Sequence, residues 1–195
     1  MKFEYLRKLF ISILIPIVVI CAAGTFASAQ RVTIRAIARG TSTQLGKLIN
    51  VDIHINQFSD ASEQSALLEA FQTDRAEGLA NALDKLPAKG RMAITGTVGF
   101  DLNYIRLFKM PDGSQMIRFV TDRPIRMGEA WGSTRSMDYN ITMGEIHIPK
   151  DKKKLTGTLL PAVRPKLDKK GEIELENYQN PWELSNMKVY QKGSN

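Results

Sequence analysis

Cysteine and histidine are nearly absent from this sequence of 195 residues, which contains one Cys and two His. A single Cys excludes a disulfide framework within the chain and a zinc site built from several thiolates. The sequence also lacks a G-x-S-x-G elbow, a phosphate-binding P-loop and a G-x-G-x-x-G dinucleotide motif. These absences favour a protein that is not an enzyme and has no cofactor.

The first 29 residues have the three parts of a secretory signal peptide. Positions 2, 7 and 8 are basic, residues 9–23 are apolar, and Ala27-Ser28-Ala29 is a small-x-small cleavage site. Cleavage after Ala29 would leave 166 of the 195 residues and would lower the net charge from +7 to +5. It would also remove Cys21, the only cysteine. We therefore expect an exported protein, periplasmic or secreted, which contacts a membrane through this segment alone if it stays uncleaved.

The remaining chain, 30–195, is expected to form a single β-rich domain. Alternating apolar and polar residues predict strands along most of it, beginning with Val32, Ile34 and Ala36. Two capping signals, Asp60 with Glu63 and Asp74 with Glu77, each precede leucines at helical spacing. They predict a pair of short amphipathic helices at about 61–72 and 75–86. The expected fold class is α+β, mainly antiparallel β, as a sandwich or a partly closed barrel with the helix pair inserted.

Several segments together resemble a family of uncharacterised exported bacterial proteins of unknown function. The resemblance covers most of the chain that would follow the signal peptide. It implies a bacterial exported protein and adds no chemistry. The segments that carry it are Arg91 to Tyr104, Thr121-Asp122-Arg123-Pro124-Ile125, Glu129-Ala130, Arg135-Ser136-x-Asp138-Tyr139 and Glu174-Leu175-Glu176-Asn177-Tyr178.

A metal site is one hypothesis for the two histidines. Asp52 with His54, and Glu145 with His147, each place a carboxylate and an imidazole two residues apart, on one face of a predicted strand. If the two strands were neighbours, the four side chains could form a zinc site. The alternative is that they are simply the polar side of two half-buried strands, because alternation alone produces this pattern.

Residues 150–170 are strongly basic, with eight Lys or Arg against two Asp. Such a segment could contact an anionic polymer. However, Glu172, Glu174 and Glu176 follow at once, and a hairpin that places Lys166 opposite Glu172 and Arg164 opposite Glu174 would pair part of this charge. We therefore expect no nucleic acid partner, and an anionic glycan is the candidate among envelope components.

The segment from Asp122 to Asn140 is the strongest candidate for a binding surface. It is long for a connection between strands, and long loops in compact domains are often functional. It is also rich in Arg, Trp and Tyr, which are enriched at binding hot spots. The alternative is that these side chains only hold the loop in place. The residues expected to bind a ligand or partner are Arg123, Arg126, Glu129, Trp131, Arg135, Asp138 and Tyr139.

The sequence therefore predicts an exported, non-catalytic domain that binds an unknown ligand or partner in the bacterial cell envelope. A hydrolase acting on an envelope or extracellular polymer is the alternative, because Asp and Glu are plentiful and a carboxylate pair could carry glycoside hydrolysis. The sequence does not specify the oligomeric state.

Overall fold

The computed structural model describes residues 31–125, 139–167 and 173–191, which form ten strands, one α-helix and a short 3-10 helix at Ser42–Gln44. The helix, α1, is Ala61–Lys85. The strands are β1 (Val32–Gly40), β2 (Leu48–Ile55), β3 (Gly90–Ile94), β4 (Phe100–Leu102), β5 (Tyr104–Lys109), β6 (Gln115–Val120), β7 (Ile141–Ile148), β8 (Thr156–Leu167), β9 (Ile173–Asn177) and β10 (Trp182–Gln191).

The strands form one antiparallel sheet that curls into a nearly closed barrel. Their spatial order is β4-β3-β2-β1-β10-β8-β7-β6-β5, and β9 pairs with β8 outside this path. The first and last strands of that order, β4 and β5, are joined by Asn103 alone. The sheet must therefore bring its two edges together, which confirms the expected α+β fold, mainly antiparallel β, in its barrel form rather than as a sandwich.

The alternation seen in the sequence separates an apolar interior from a polar exterior. Ile34 and Ile53 oppose each other in β1 and β2 and are almost fully buried, and the next pair, Arg35 and Asp52, faces outward. Trp182 and Phe119 are the largest side chains in the interior, both with no exposed surface. Each strand thus places one set of side chains in the core and the other set on the outer surface.

The segments on either side of α1 cover the seam between β4 and β5. The Ser59 N–H donates to the Ile105 carbonyl oxygen at 2.6 Å, and the Ile105 N–H donates to Ser59 Oγ at 3.2 Å. On the other edge the Lys89 N–H donates to the Leu102 carbonyl oxygen at 2.8 Å. These bonds satisfy backbone groups that an open sheet would leave at its edges.

The helix begins where the sequence predicts it. Asp60 Oδ1 accepts the Glu63 N–H at 2.9 Å, and Glu63 Oε2 accepts the Asp60 N–H at 3.1 Å, so the capping box is complete. The Glu63 N–H bond lowers the pKa of the Asp60 carboxyl. Asp74 and Arg75 have non-helical backbone angles, with Arg75 at φ 51°. The helix is therefore interrupted where the sequence predicts one helix to end and a second to begin.

The helix packs against outward-facing side chains of β5 to β8. Leu67 and Leu83 are buried there, with Tyr104, Ile141 and Val163 from the sheet. This cluster is distinct from the core inside the barrel. The leucine stripe predicted from the sequence therefore serves packing, and it covers one side of the outer surface.

Strand β8 is continuous over Thr156–Leu167 although it contains Pro161. The register of β8 against β7 shifts between Leu160 and Val163, so a bulge at residues 161–162 accommodates the proline, which has no N–H to donate.

The hairpin register predicted for β8 and β9 is wrong by two residues. Arg164 lies opposite Glu176, and Lys166 lies opposite Glu174. A shift of two preserves the faces of a strand, because side chains alternate with a period of two. Lys166 Nζ lies 3.8 Å from Glu176 Oε2, so charge pairing is still present in the new register.

A buried ion pair joins α1 to the seam. Lys89 Nζ donates to Glu63 Oε1 at 2.6 Å, and the two side chains are only 7% and 18% exposed. Because the other Glu63 oxygen caps the helix, one carboxylate holds both the helix start and the segment that covers β4. Removing one partner of such a pair leaves a charge buried without compensation.

We predict that Glu63→Gln lowers the free energy of unfolding by about 2–3 kcal/mol, because Gln still caps the helix but leaves Lys89 charged and unpaired. Urea denaturation measures this loss, and the control Glu69→Gln, at an exposed position of the same helix, should change stability by less than about 0.5 kcal/mol. Adding Lys89→Met to Glu63→Gln should recover part of the loss. Equal stability of Glu63→Gln and the wild type would contradict the role of the pair.

Candidate ligand-binding site

The loop predicted to bind a ligand is described only at its two ends. Arg123 and Tyr139 are in the described part of the chain. The other five predicted binding residues lie outside it: Arg126, Glu129, Trp131, Arg135 and Asp138.

Both described residues have local partners. Arg123 donates through Nε to Asp122 Oδ1 at 2.9 Å and through Nη2 to Asp122 Oδ2 at 2.6 Å. These two bonds lower the pKa of the Asp122 carboxyl. The Tyr139 and Tyr178 rings are tilted against each other with centroids 5.2 Å apart. The contacts fit a role in fixing the ends of the loop, and they leave the binding prediction for its central residues untested.

Two fully buried threonines anchor the loop ends to the barrel. Thr142 Oγ1 donates to the Pro161 carbonyl oxygen at 2.5 Å and accepts the Ile125 N–H at 2.7 Å. Thr121 Oγ1 donates to the Arg123 carbonyl oxygen and accepts the Thr142 N–H at 3.3 Å. The two hydroxyl groups thus provide hydrogen-bond partners for buried backbone groups just after β6 and at the start of β7.

The structure separates the four residues of the metal hypothesis. Asp52 and His54 lie on β2, and Glu145 and His147 lie on β7, with β1, β10 and β8 between these strands. His54 Nδ1 is hydrogen-bonded to Thr33 Oγ1 at 3.0 Å. No group of three or more Cys, His, Asp or Glu side chains placed to hold a metal ion occurs within the described ranges. The zinc hypothesis required the strands of the two histidines to be neighbours, and β2 and β7 are not neighbours.

A cluster of charged side chains lies on the outer face of β5, β6 and β7. Arg106 and Arg118 are directly opposite each other, and both lie over the Phe108 ring at 5.9 and 5.4 Å. Glu145 accepts two bonds from Arg118, at 2.6 and 2.7 Å, and Arg106 donates to the Asp60 carbonyl oxygen at 3.1 Å. Both guanidinium groups have partners, so the cluster joins the sheet to the start of α1.

A concave surface of about 420 Å³ occupies the outer face of β2, β1 and β10. It is open to solvent and lies on a different part of the sheet from α1, which contacts β8. Its polar lining consists of Arg35, Asn50, Asp52, Thr95, Asn186, Lys188 and Tyr190.

A β-bulge in β10 shapes this surface. Arg35 lies opposite Lys188 and Ile37 lies opposite Ser185, so two residues of β10, Asn186 and Met187, oppose the single residue between Arg35 and Ile37. Asn186 adopts φ 48°, a left-handed conformation that Asn tolerates better than most residues. Met187 packs against the core, and Asn186 and Lys188 on either side of it line the concave surface.

Arg35, one of the lining residues, is held from two sides. Its Nε lies 3.2 Å from Asp52 Oδ1, and its guanidinium carbon lies 5.2 Å from the centroid of the Tyr190 ring. Thr95 Oγ1 donates to Asp52 Oδ2 at 3.2 Å, which fixes the carboxylate in turn. The Arg35 side chain is nevertheless 65% exposed. A positioned cation with free surface can bind an anionic group without first being ordered.

Sequence reasoning missed this surface apart from one residue. Asp52 was considered as a metal ligand, and in the structure it orients Arg35. Alternation does indicate that Arg35 and Asp52 share the outer side of their strands. Neither the pairing of β1 with β10 nor the bulge at Asn186 has a signal in the sequence pattern, and these two features bring Lys188 and Tyr190 beside Arg35.

No family model matches the chain, and comparisons with curated proteins and with solved structures found no match either. No helix in the described part of the chain combines the length and the apolar character needed to cross a membrane.

The threonine anchor gives a prediction for the loop ends. We expect Thr142→Val to lower the free energy of unfolding by about 1 kcal/mol, because the shape is kept while both hydrogen bonds of the hydroxyl group, to the Pro161 carbonyl oxygen and from the Ile125 N–H, are lost. The Ile125 N–H keeps the Pro161 carbonyl oxygen as an acceptor at 2.9 Å. Chemical denaturation measures the change, with Thr158→Val at an exposed position of β8 as the matched control. A Thr142→Val protein as stable as the control would show that the hydroxyl does not anchor the loop.

Proposed function

We propose that this protein is an exported, non-catalytic domain of the bacterial cell envelope that binds an acidic saccharide on the outer face of β1, β2 and β10. The observation that carries the proposal is the exposed Arg35 guanidinium, held by Asp52 and Tyr190 in a concave surface. Export is proposed from the N-terminal sequence pattern, with its basic start, apolar stretch and small-x-small site.

The lining residues match the chemistry of a sugar acid. Arg35 and Lys188 supply positive charge for a carboxylate, and charge-assisted hydrogen bonds are the stronger ones. Asn50 and Asn186 offer both donors and acceptors for hydroxyl groups. The Tyr190 ring, 46% exposed, offers an apolar surface for the C–H groups of a sugar ring. The open shape suits one stretch of a longer chain better than a fully enclosed small molecule.

The same lining favours binding over hydrolysis. Glycoside hydrolysis needs two carboxyl groups on either side of the scissile bond. Asp52 is the one carboxylate among the described residues that line the concave surface, and Arg35 and Thr95 already engage it. The described lining therefore supplies no second carboxyl group for this reaction.

The proposal is tested by titrating the protein with a hexuronic acid oligosaccharide and with a neutral oligosaccharide of the same length, by calorimetry at low salt. We expect binding of the acidic oligosaccharide only. Arg35→Gln should weaken it about tenfold or more, because one charge-assisted hydrogen bond contributes about 1.5–3 kcal/mol. Lys188→Gln should weaken it about threefold, because its charge is less precisely positioned.

The matched control is Lys154→Gln, which removes the same charge from an exposed position in the turn between β7 and β8 and should leave the Kd within about twofold. Raising the salt concentration should weaken binding of the acidic oligosaccharide. Equal binding of the acidic and neutral oligosaccharides, or an Arg35→Gln protein that binds like the wild type, would overturn the proposal.

A further inference from the structure

Arg91 of β3 is a charged side chain without a partner in the fold. Its Nε is buried, and neither this atom nor the rest of the guanidinium group has a hydrogen-bond or ion-pair partner among the described residues. Asp101 lies directly opposite in β4 and is exposed, yet it forms no ion pair with Arg91. A buried donor without a partner lowers stability, and such groups are rare in folded proteins. Arg91 is therefore a candidate for binding a ligand.

A row of neighbouring residues connects Arg91 to the concave surface. Arg91 lies opposite His54 of β2, and His54 lies opposite Thr33 of β1. Thr33 in turn lies opposite Tyr190 of β10. Directly opposed residues of antiparallel strands have their side chains on the same face of the sheet. Since Tyr190 lines the concave surface, Arg91 is on the same outer face, although it does not line the concave surface itself.

The middle of this row offers polar groups for a sugar. His54 Nδ1 and Thr33 Oγ1 are hydrogen-bonded at 3.0 Å, so the two side chains hold each other in position. The second ring nitrogen of His54 can then bond to a hydroxyl group of a ligand. Ala93 is the next residue on the same face of β3, and its methyl group is too small to separate Arg91 from the concave surface.

Arg91 and Arg35 are too far apart to share one acid group. They are separated by two strand spacings and by two residues along the strand, which is about 12 Å between Cα atoms in a flat antiparallel sheet. The Arg35 guanidinium carbon lies over the Tyr190 ring of β10, on the side of β1 away from β3. A chain that carries acid groups on separate sugar units can place one on each arginine.

We infer that Arg91 is a second anion-binding subsite, and that the ligand is a chain of repeating sugar acids that crosses β1 and β2 from Arg35 to Arg91. The inference rests on the proposed function, because it extends the saccharide site at Arg35 along the same outer face. A saccharide with a single terminal acid group would use Arg35 alone. Asp101 repels an acid group from the β4 side of Arg91, so the ligand reaches Arg91 from the side of His54.

Calorimetric titration with a dimer and a hexamer of galacturonic acid tests the inference. Arg91→Gln should weaken binding of the hexamer about tenfold, because a charge-assisted hydrogen bond is lost, and should leave the Kd of the dimer within about twofold. A hexamer also has more registers on a short site, but the variant keeps this statistical gain, so it cannot produce the difference. Binding of the dimer through Arg35 also shows that the variant is folded. Lys154→Gln is the matched control, and it should leave both Kd values within about twofold.

Asp101→Asn is a second variant with the opposite expected effect. Removing this exposed carboxylate beside Arg91 should strengthen binding of the hexamer about twofold to threefold and leave binding of the dimer unchanged. If Arg91→Gln does not fold, Asp101→Asn decides, and hexamer binding that does not rise overturns the inference. Hexamer binding that Arg91→Gln leaves unchanged, or weakens no more than dimer binding, also overturns it while the proposed function stands. A wild type that binds neither oligosaccharide overturns the proposed function, and the inference with it.

Discussion

Closure of the sheet at the seam between β4 and β5 is the constraint on which the rest of the structure depends. A single residue, Asn103, joins the two edge strands β4 and β5. In the described part of the chain, no further strand pairs with the outer edge of either. Ser59 bonds to Ile105 on one edge and Lys89 bonds to Leu102 on the other. Since Ser59 and Lys89 lie on either side of α1, the helix is tied to the seam at both of its ends. The Glu63–Lys89 ion pair then joins the first turn of α1 to the segment that covers β4.

The inward side chains form the core of the barrel, and the concave surface and the charged cluster described above lie on its outer surface. The outer surface is divided by what covers it. The helix and the Arg106–Arg118 cluster occupy β5 to β8, where guanidinium groups are paired with Glu145 and a backbone carbonyl. The face of β1, β2 and β10 keeps a concave surface in which Arg35 is oriented but still exposed. Arg118 and Arg35 each have a carboxylate partner, but the Arg35 side chain is 65% exposed and the Arg118 side chain 38%. This greater exposure is the physical reason for proposing recognition on the second face.

Local features of the sequence predicted local features of the structure. The Asp60 and Glu63 capping signal marks the start of α1, and the repeat of that signal at Asp74 falls at the break in the helix. Longer-range features were not accessible, because strand order and register depend on energies summed over the whole sheet. The β8–β9 register was therefore two residues off, and the meeting of Arg35 with Lys188, 153 positions apart in the chain, was not foreseen. The bulge at Asn186 that allows this meeting follows no period in the sequence.

Hydrogen exchange of individual backbone amides under native conditions tests the central claim, that closure at the seam belongs to the cooperative fold. We expect the Ser59 and Ile105 amides, which bond across the seam, to exchange with the same free energy of opening as amides of β1 in the middle of the sheet. Seam amides that exchange by local opening, at a free energy far below that of β1, would contradict it, because the barrel would then be an open sheet whose edges meet only transiently.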